Sequence, residues 1–173
     1  MRAIITIMIA RILTLALLVL FASVASGQAG EFTVALGKGN VTIAFPKSWT
    51  VSDIARGLEA KTKDDEVYVW AETYRENQSD QLMQEHEKYF AGQGVAVTGK
   101  VSSETKVVNG VTMTFMEVPA TWKGDPTVLQ YLLVDPGLPA GWKLLMTEWA
   151  SPKGDKMYQP DLDSIIGSVS FGK

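Results

Sequence analysis

The sequence predicts an α+β domain: a mostly antiparallel β-sheet flanked by two main helices in an α/β/α sandwich. Three observations carry this. Short runs rich in β-branched residues alternate with hairpin turns such as Asn109-Gly110, and two segments repeat their apolar residues at helical steps. The late runs are apolar on both faces, so a sheet built from them needs cover on both sides.

The elements follow in order. Glu31 to Leu36 and Asn40 to Phe45 read as strands joined by the hairpin connection Gly37-Lys38-Gly39, and Pro46 stops the second. Leu58 to Thr62 and Val67 to Tyr74 form a further hairpin around the acidic turn Lys63-Asp64-Asp65-Glu66. A helix is expected from Ser79 to Ala91, with Leu82, His86, Tyr89 and Phe90 on one stripe, Asn77 or Ser79 as its cap, and Gly92 and Gly94 closing it.

Strands are then expected from Val95 to Ser102 and from Glu104 to Val108. The Asn109-Gly110 turn leads into Val111 to Trp122. After the turn Lys123-Gly124-Asp125-Pro126 come Thr127 to Val134 and, beyond Asp135 to Gly141, Trp142 to Ala150. In the first of these, Leu129, Tyr131 and Leu133 lie on one side and Val128, Leu132 and Val134 on the other. Pro160 is expected to open a short closing helix with Leu162, Ile165, Ile166 and Val169 as its buried stripe, and Phe171 tucks in behind.

Ahead of these elements, Arg2 and Arg11 precede a charge-free apolar run from Ile12 to Ala22 and then small residues, the three-part pattern of a secretory signal peptide. Residues 1–27 are therefore expected to be the signal, with cleavage after Ala25 or Gly27, and residues 28–173 a single domain in the periplasm or outside the cell. An uncleaved anchor is the rival, because the stretch between Arg11 and Glu31 is just long enough for a bilayer that needs about 20 residues. In that case alone the chain would touch a membrane. With no cysteine there is no lipobox for a lipoprotein anchor, no disulfide and no thiolate metal ligand.

The charge balance narrows the partners. Without Arg2 and Arg11 there are 14 basic residues against 19 acidic ones, a net charge of −5, and no basic cluster, which argues against nucleic acid. The chemistry is narrowed in the same way. His86 is the single histidine, so any triad or imidazole metal site has one possible hub; on a helix stripe beside Tyr89 and Phe90 it reads better as a half-buried, hydrogen-bonded packing residue.

Glu72, Glu117 and Glu148 lie in strands that could bring carboxyls together for acid/base work, or could equally pair with cations and water. Asp64, Asp65 and Glu66 lack the spaced ligands and glycine of a Ca²⁺ loop, and Gly37-Lys38-Gly39 is too short to cradle phosphate. Trp49, Trp70, Trp122, Trp142 and Trp149 remain, as core packing or as a binding surface, with Trp122 and Trp142 nearest to turns. No catalytic, cofactor or metal residue is assigned, and no cofactor is expected.

The early strand ending in Phe45-Pro46-Lys47-Ser48-Trp49, the mid-chain helix before a hairpin and the closing run Leu162-Asp163-Ser164-Ile165-Ile166-Gly167-Ser168-Val169-Ser170-Phe171 together resemble the PsbP-like fold. That fold is shared by the photosystem II extrinsic protein, a Ran-binding nuclear transport factor and many bacterial envelope proteins. The resemblance spans nearly all of the chain after the leader. It rests on core and turn residues, so it implies a fold, and its members' roles in scaffolding, GTPase binding and chaperoning transfer no site residue. The function expected is an exported, non-enzymatic binding and assembly module of the envelope, with an unidentified protein or envelope ligand as partner. The alternative is a carboxylate-dependent envelope hydrolase.

The leader makes the first testable statement. Mass spectrometry of the extracytoplasmic fraction should find an N-terminus between about Ser26 and Glu31. An intact Met1 terminus in membranes would establish the anchor instead.

Overall fold

The computed structural model describes residues 29–108, 110–138 and 141–172, so the proposed signal, residues 1–27, lies outside the described residues. No helix among the described residues is long and apolar enough to cross a membrane. The strands are β1 (Gly30–Leu36), β2 (Gly39–Phe45), β3 (Thr50–Ile54), β4 (Gly57–Lys61), β5 (Val67–Arg75), β6 (Val95–Val97), β7 (Ser102–Val108), β8 (Val111–Glu117), β9 (Ala120–Trp122), β10 (Asp125–Asp135), β11 (Trp142–Ala150) and β12 (Ser170–Gly172). The helices are α1 (Ser79–Gly92) and α2 (Pro152–Ser168).

Nine strands form one sheet in the order β3-β4-β5-β11-β10-β8-β7, with β9 beside β10 and β6 beside β9. The other three form a small sheet, β1-β2-β12. All the pairings are antiparallel. The expected α+β class and layering hold, with a second sheet added to one layer.

Alternation along the strands decides what each face buries. Val128, Leu132 and Val134 of β10, Leu144 and Met146 of β11, and Val67, Val69 and Ala71 of β5 face the small sheet and α2, meeting Val41, Ile43, Phe45, Leu162 and Ile165. The opposite face carries Leu129 and Tyr131, Leu145, and Trp70 and Tyr74, packed on Leu82 and Phe90 of α1. Both faces of β10 divide as its sequence predicts.

Several boundaries differ, each for a local reason. The segment Thr50–Ile54, to which the sequence assigns no element, is the edge strand β3 paired with β4. The strand expected from Val95 to Ser102 stops at Val97, and the one expected from Val111 to Trp122 breaks where Pro119 separates β8 from β9. The turn after Trp122 contains only Lys123 and Gly124, both at positive φ, while Asp125 and Pro126 already belong to β10. Because Trp122 and Asp125 close a two-residue turn, the next pair, Pro126 with Thr121, is a non-bonded one. The proline nitrogen therefore points to the side where β11, whose register ends at Val128 opposite Ala150, no longer runs.

Neither expected cap of α1 is used. A 3-10 turn, Glu76–Gln78, leads into the helix and puts Gln78 at the N-cap without a side-chain cap bond. Tyr89, expected on the buried stripe, is 48% exposed, while Leu82, His86 and Phe90 are buried.

The largest difference is in α2, which begins at Pro152 and not at Pro160. Ser151 is its N-cap and accepts from the Gly154 amide at 2.9 Å, and Pro152 fills the first turn, where a missing N–H costs nothing. Pro160 sits inside the helix. Gly154 is buried against the β4–β5 turn: a Cβ there would come within 2.6 Å of the Glu66 carbonyl oxygen. Phe171 does more than tuck in, since it lies in β12 opposite Val41 of β2.

Ile165 is 1% exposed, and the adjacent Ser164 is exposed. Ile165→Ala should cost about 2 to 5 kcal/mol and sharply lower the unfolding midpoint, with Ser164→Ala nearly silent in the same denaturant titration. Equal small effects would mean that α2 is not part of the core.

Candidate functional site

On the α1 side of the sheet, β5 places Tyr68, Trp70, Glu72 and Tyr74 at alternate positions, and β11 adds Thr147 and Trp149. Glu72 is a carboxylate among buried apolar neighbours, so it needs partners. It has two. His86 of α1 puts Nε2 at 2.5 Å from one carboxylate oxygen, and the Arg56 Nε donates to the other at 3.1 Å. Arg56, from the turn between β3 and β4, also reaches Glu85 of α1 through Nη2 at 2.7 Å. The Thr147 hydroxyl lies 3.4 Å from the remaining imidazole nitrogen, Nδ1, and can donate or accept there.

Burial alone would raise the Glu72 carboxyl, but the hydrogen bonds and charges of His86 and Arg56 outweigh it and hold the group below the usual glutamate range. The expectation of a packed, hydrogen-bonded His86 is met, with a charged partner the sequence had not disclosed. These groups floor a cleft of about 260 Å³, completed by Ile54, Trp70, Tyr89 and Phe90.

From this cleft an unbroken run of rings crosses the α1 side of the sheet. Tyr89 meets Trp70 edge-on at 6.0 Å, and Trp70 stacks on Tyr68 at 5.9 Å with planes 14° apart. Tyr68 touches Trp149 at 5.9 Å, and Trp149 meets Trp122 edge-on at 5.8 Å. Phe90 touches both Trp70 and Trp149 from α1. Each indole N–H has a partner: Trp70 donates to Glu59, Trp149 to the Thr127 hydroxyl and Trp122 to the Gln93 carbonyl. The rings are thus fixed in orientation. The run reaches solvent at its two ends, Tyr89 and Trp122, the latter 41% exposed with the Lys123 ammonium 4.5 Å above it.

The other tryptophans are structural. Trp49 is buried and donates to Asp161 at 3.0 Å, fastening the segment after β2 to α2. Trp142, one of the two tryptophans nearest to turns, is half-buried under Arg75 and fills the space beside Gly37, where a Cβ would lie 2.5 Å from its Nε1. Gly37, at φ +67, is a hairpin residue.

The three candidate carboxylates do not converge. Glu72 lies on the α1 face, whereas the register aligns Glu117, Gln130 and Glu148 across β8, β10 and β11. Glu148 lies beside the cavity under α2. Two strand spacings separate Glu117 from Glu148, about 10 Å. Glu117 is exposed. The cavity beside Glu148 has a volume of about 40 Å³, room for a few waters and no substrate. A separate cleft of about 260 Å³ borders Glu117, and neither it nor the cavity beside Glu148 is lined by a second of the named carboxylates.

The acidic turn is consumed by the fold. Asp64 accepts from the Tyr158 hydroxyl, Asp65 from Lys61 and Tyr68, and Glu66 from Ser151. Among the described residues no group of metal-ligating side chains is gathered. Sequence reasoning missed Arg56, Glu59, Glu85 and Thr147. The signal available was Glu72 itself, a charge in the otherwise apolar run Val67-Tyr68-Val69-Trp70-Ala71 that had to be answered from another element.

Against known proteins, the geometry defines a PsbP-like fold. The chain is similar to cyanobacterial PsbP (CyanoP) from Synechocystis sp. PCC 6803, seen in solution, with a TM-score of 0.57 over 86% of this chain and 95% of that one. At 10% identity the likeness is one of fold. No family and no curated protein sequence matches the chain.

Glu148 supplies a pH prediction. Burial, with the Asp155 carboxyl beside it, pushes its pKa up from 4.5 to about 8, and its Oε1 has no hydrogen-bond partner among the described residues. The folded state then holds a proton that the unfolded chain releases above pH 4.5, so stability falls as pH rises from there to about 8. Glu148→Gln should stabilise the fold at pH 8, by an amount on the order of a few kcal/mol seen as a higher midpoint, and change it little at pH 4.5. Identical differences at both pH values in thermal melts would contradict this.

Proposed function

We propose that this chain is an exported, non-enzymatic binding and assembly module of the cell envelope, and that it holds a protein partner on the aromatic surface beside α1. The observation that supports this most is the run of rings from Tyr89 through Trp70, Tyr68 and Trp149 to Trp122, open to solvent at both ends. Rigid aromatics with satisfied polar tips lose little entropy on binding and dominate the energetics of protein interfaces. Next to them, Arg56 and Glu85 are each 41% exposed as a charged pair, which suits the polar rim of such a surface. Export rests on the N-terminal pattern of Arg2, Arg11 and the apolar run that follows.

The buried Glu72–His86 contact serves this reading as a support, because it locks α1 onto β5 and so fixes the aromatic face. Site-specific photo-crosslinking from position 89 or 122 in the native envelope should trap one discrete partner. Trp122→Ala and Tyr89→Ala should each weaken its capture by about tenfold or more, while Met157→Ala, exposed on α2 away from this surface, should leave it unchanged. Capture indifferent to both ring removals would sink the proposal.

A further inference from the structure

The nine-stranded sheet ends in β7, and the side chains from Ser102 to Val107 are all exposed, Val107 at 72%. A seven-residue edge without proline is a template for another strand. The direction of its backbone groups follows from the register. Val108 and Val111 close a two-residue turn and so form a hydrogen-bonded pair, and such pairs alternate along an antiparallel ladder. Lys106 and Glu104 therefore bond inward to β8, while Val107, Thr105 and Ser103 aim their N–H and C=O groups outward. The 2.9 Å contact between the Thr105 and Thr114 hydroxyls agrees, since side chains approach most closely at non-bonded pairs.

From this edge we infer that the chain forms a symmetric dimer by antiparallel pairing of β7 with the β7 of a second copy, centred on Thr105. In that register Thr105 exchanges both backbone bonds with its own counterpart, and Ser103 faces Val107. Glu104 then lies opposite Lys106 twice, on one face of the sheet and at the closely spaced non-bonded positions. The strand is its own charge complement. In the single chain the same two side chains pair with each other at 2.8 Å, both largely exposed, with the Lys106 ammonium 5.5 Å from the centre of the Phe115 ring.

The opposite edge offers no such match, because pairing β3 with itself about Ser52 would set Asp53 against Val51. A symmetric contact also closes on itself, converting an open edge into the interior of a continuous sheet. The seam is smaller than a standard interface, so the dimer is concentration-dependent.

Sedimentation velocity of the full chain as processed by its host, over about 1 to 500 μM, should show a monomer–dimer equilibrium. Thr105→Pro removes an outward N–H without touching the β8 ladder. It should weaken the dimer by about tenfold or more with an unchanged circular dichroism spectrum. Glu104→Lys and Lys106→Glu should each weaken it by a similar factor, because each sets two like-charge pairs in the seam, and the two together should restore it. The charge reversals decide the matter if the proline variant does not fold. A monomer throughout the range, a dimer indifferent to these changes, or an open-ended series built by β7 on β3 would each overturn the inference.

Discussion

Strands β10 and β11 carry large apolar side chains on both faces, and the rest of the molecule is arranged around that fact. Leu129, Tyr131 and Leu145 point one way, and Leu132, Val134, Leu144 and Met146 the other. At roughly 25 cal/mol for each Å² of apolar surface removed from water, neither face can be left wet. The chain answers with two unlike covers. α1 and its aromatic neighbours close one side, while α2 with the small sheet of β1, β2 and β12 closes the other. The two covers then inherit different duties, one holding the fold shut and the other meeting solvent with rings.

Buried carboxyls show how differently those two sides are made. Glu72 is answered by an imidazole and a guanidinium, so it keeps its charge under α1. Glu148, on the other face, is desolvated with another carboxyl beside it, and both push its pKa up to about 8. Ion pairing gives α1 a fixed seat with a charged rim, whereas the α2 side has the character of an apolar interior that tolerates a neutral acid.

Much of this was legible in the residues, and the limits have physical causes. Period-two alternation in Val128 to Val134 gave both faces of β10, and Asn109-Gly110 marked a turn that the register confirms, with Val108 opposite Val111. The start of α2 was misplaced because Pro160 and Pro152 can each stand at a first helical position. The deciding feature was Ser151, whose side chain caps the helix and whose amide bonds Glu66. β3 was missed because Thr50–Ile54 has an exposed, polar pattern and is a strand only through β4. At the site, His86 and Glu72 were visible as residue types, but their contact joins a helix to a strand and depends on a rotation that spacing does not encode. The opposed placement of Glu72 and Glu148 follows from register, which a single sequence leaves open.

The contact between Gly154 and the Glu66 backbone has the character of a datum point. A Cβ at this position would lie 2.6 Å from the Glu66 carbonyl oxygen, so the glycine lets α2 seat directly on the β4–β5 turn, and that seat sets the angular zero of the rod. About three turns further on, that zero aims Ile165 into the core, and the same setting brings Asp155 to Glu148. A residue with no side chain thus indexes the helix, and tolerance for exchange at that one position is the tolerance of the α2 layer as a whole.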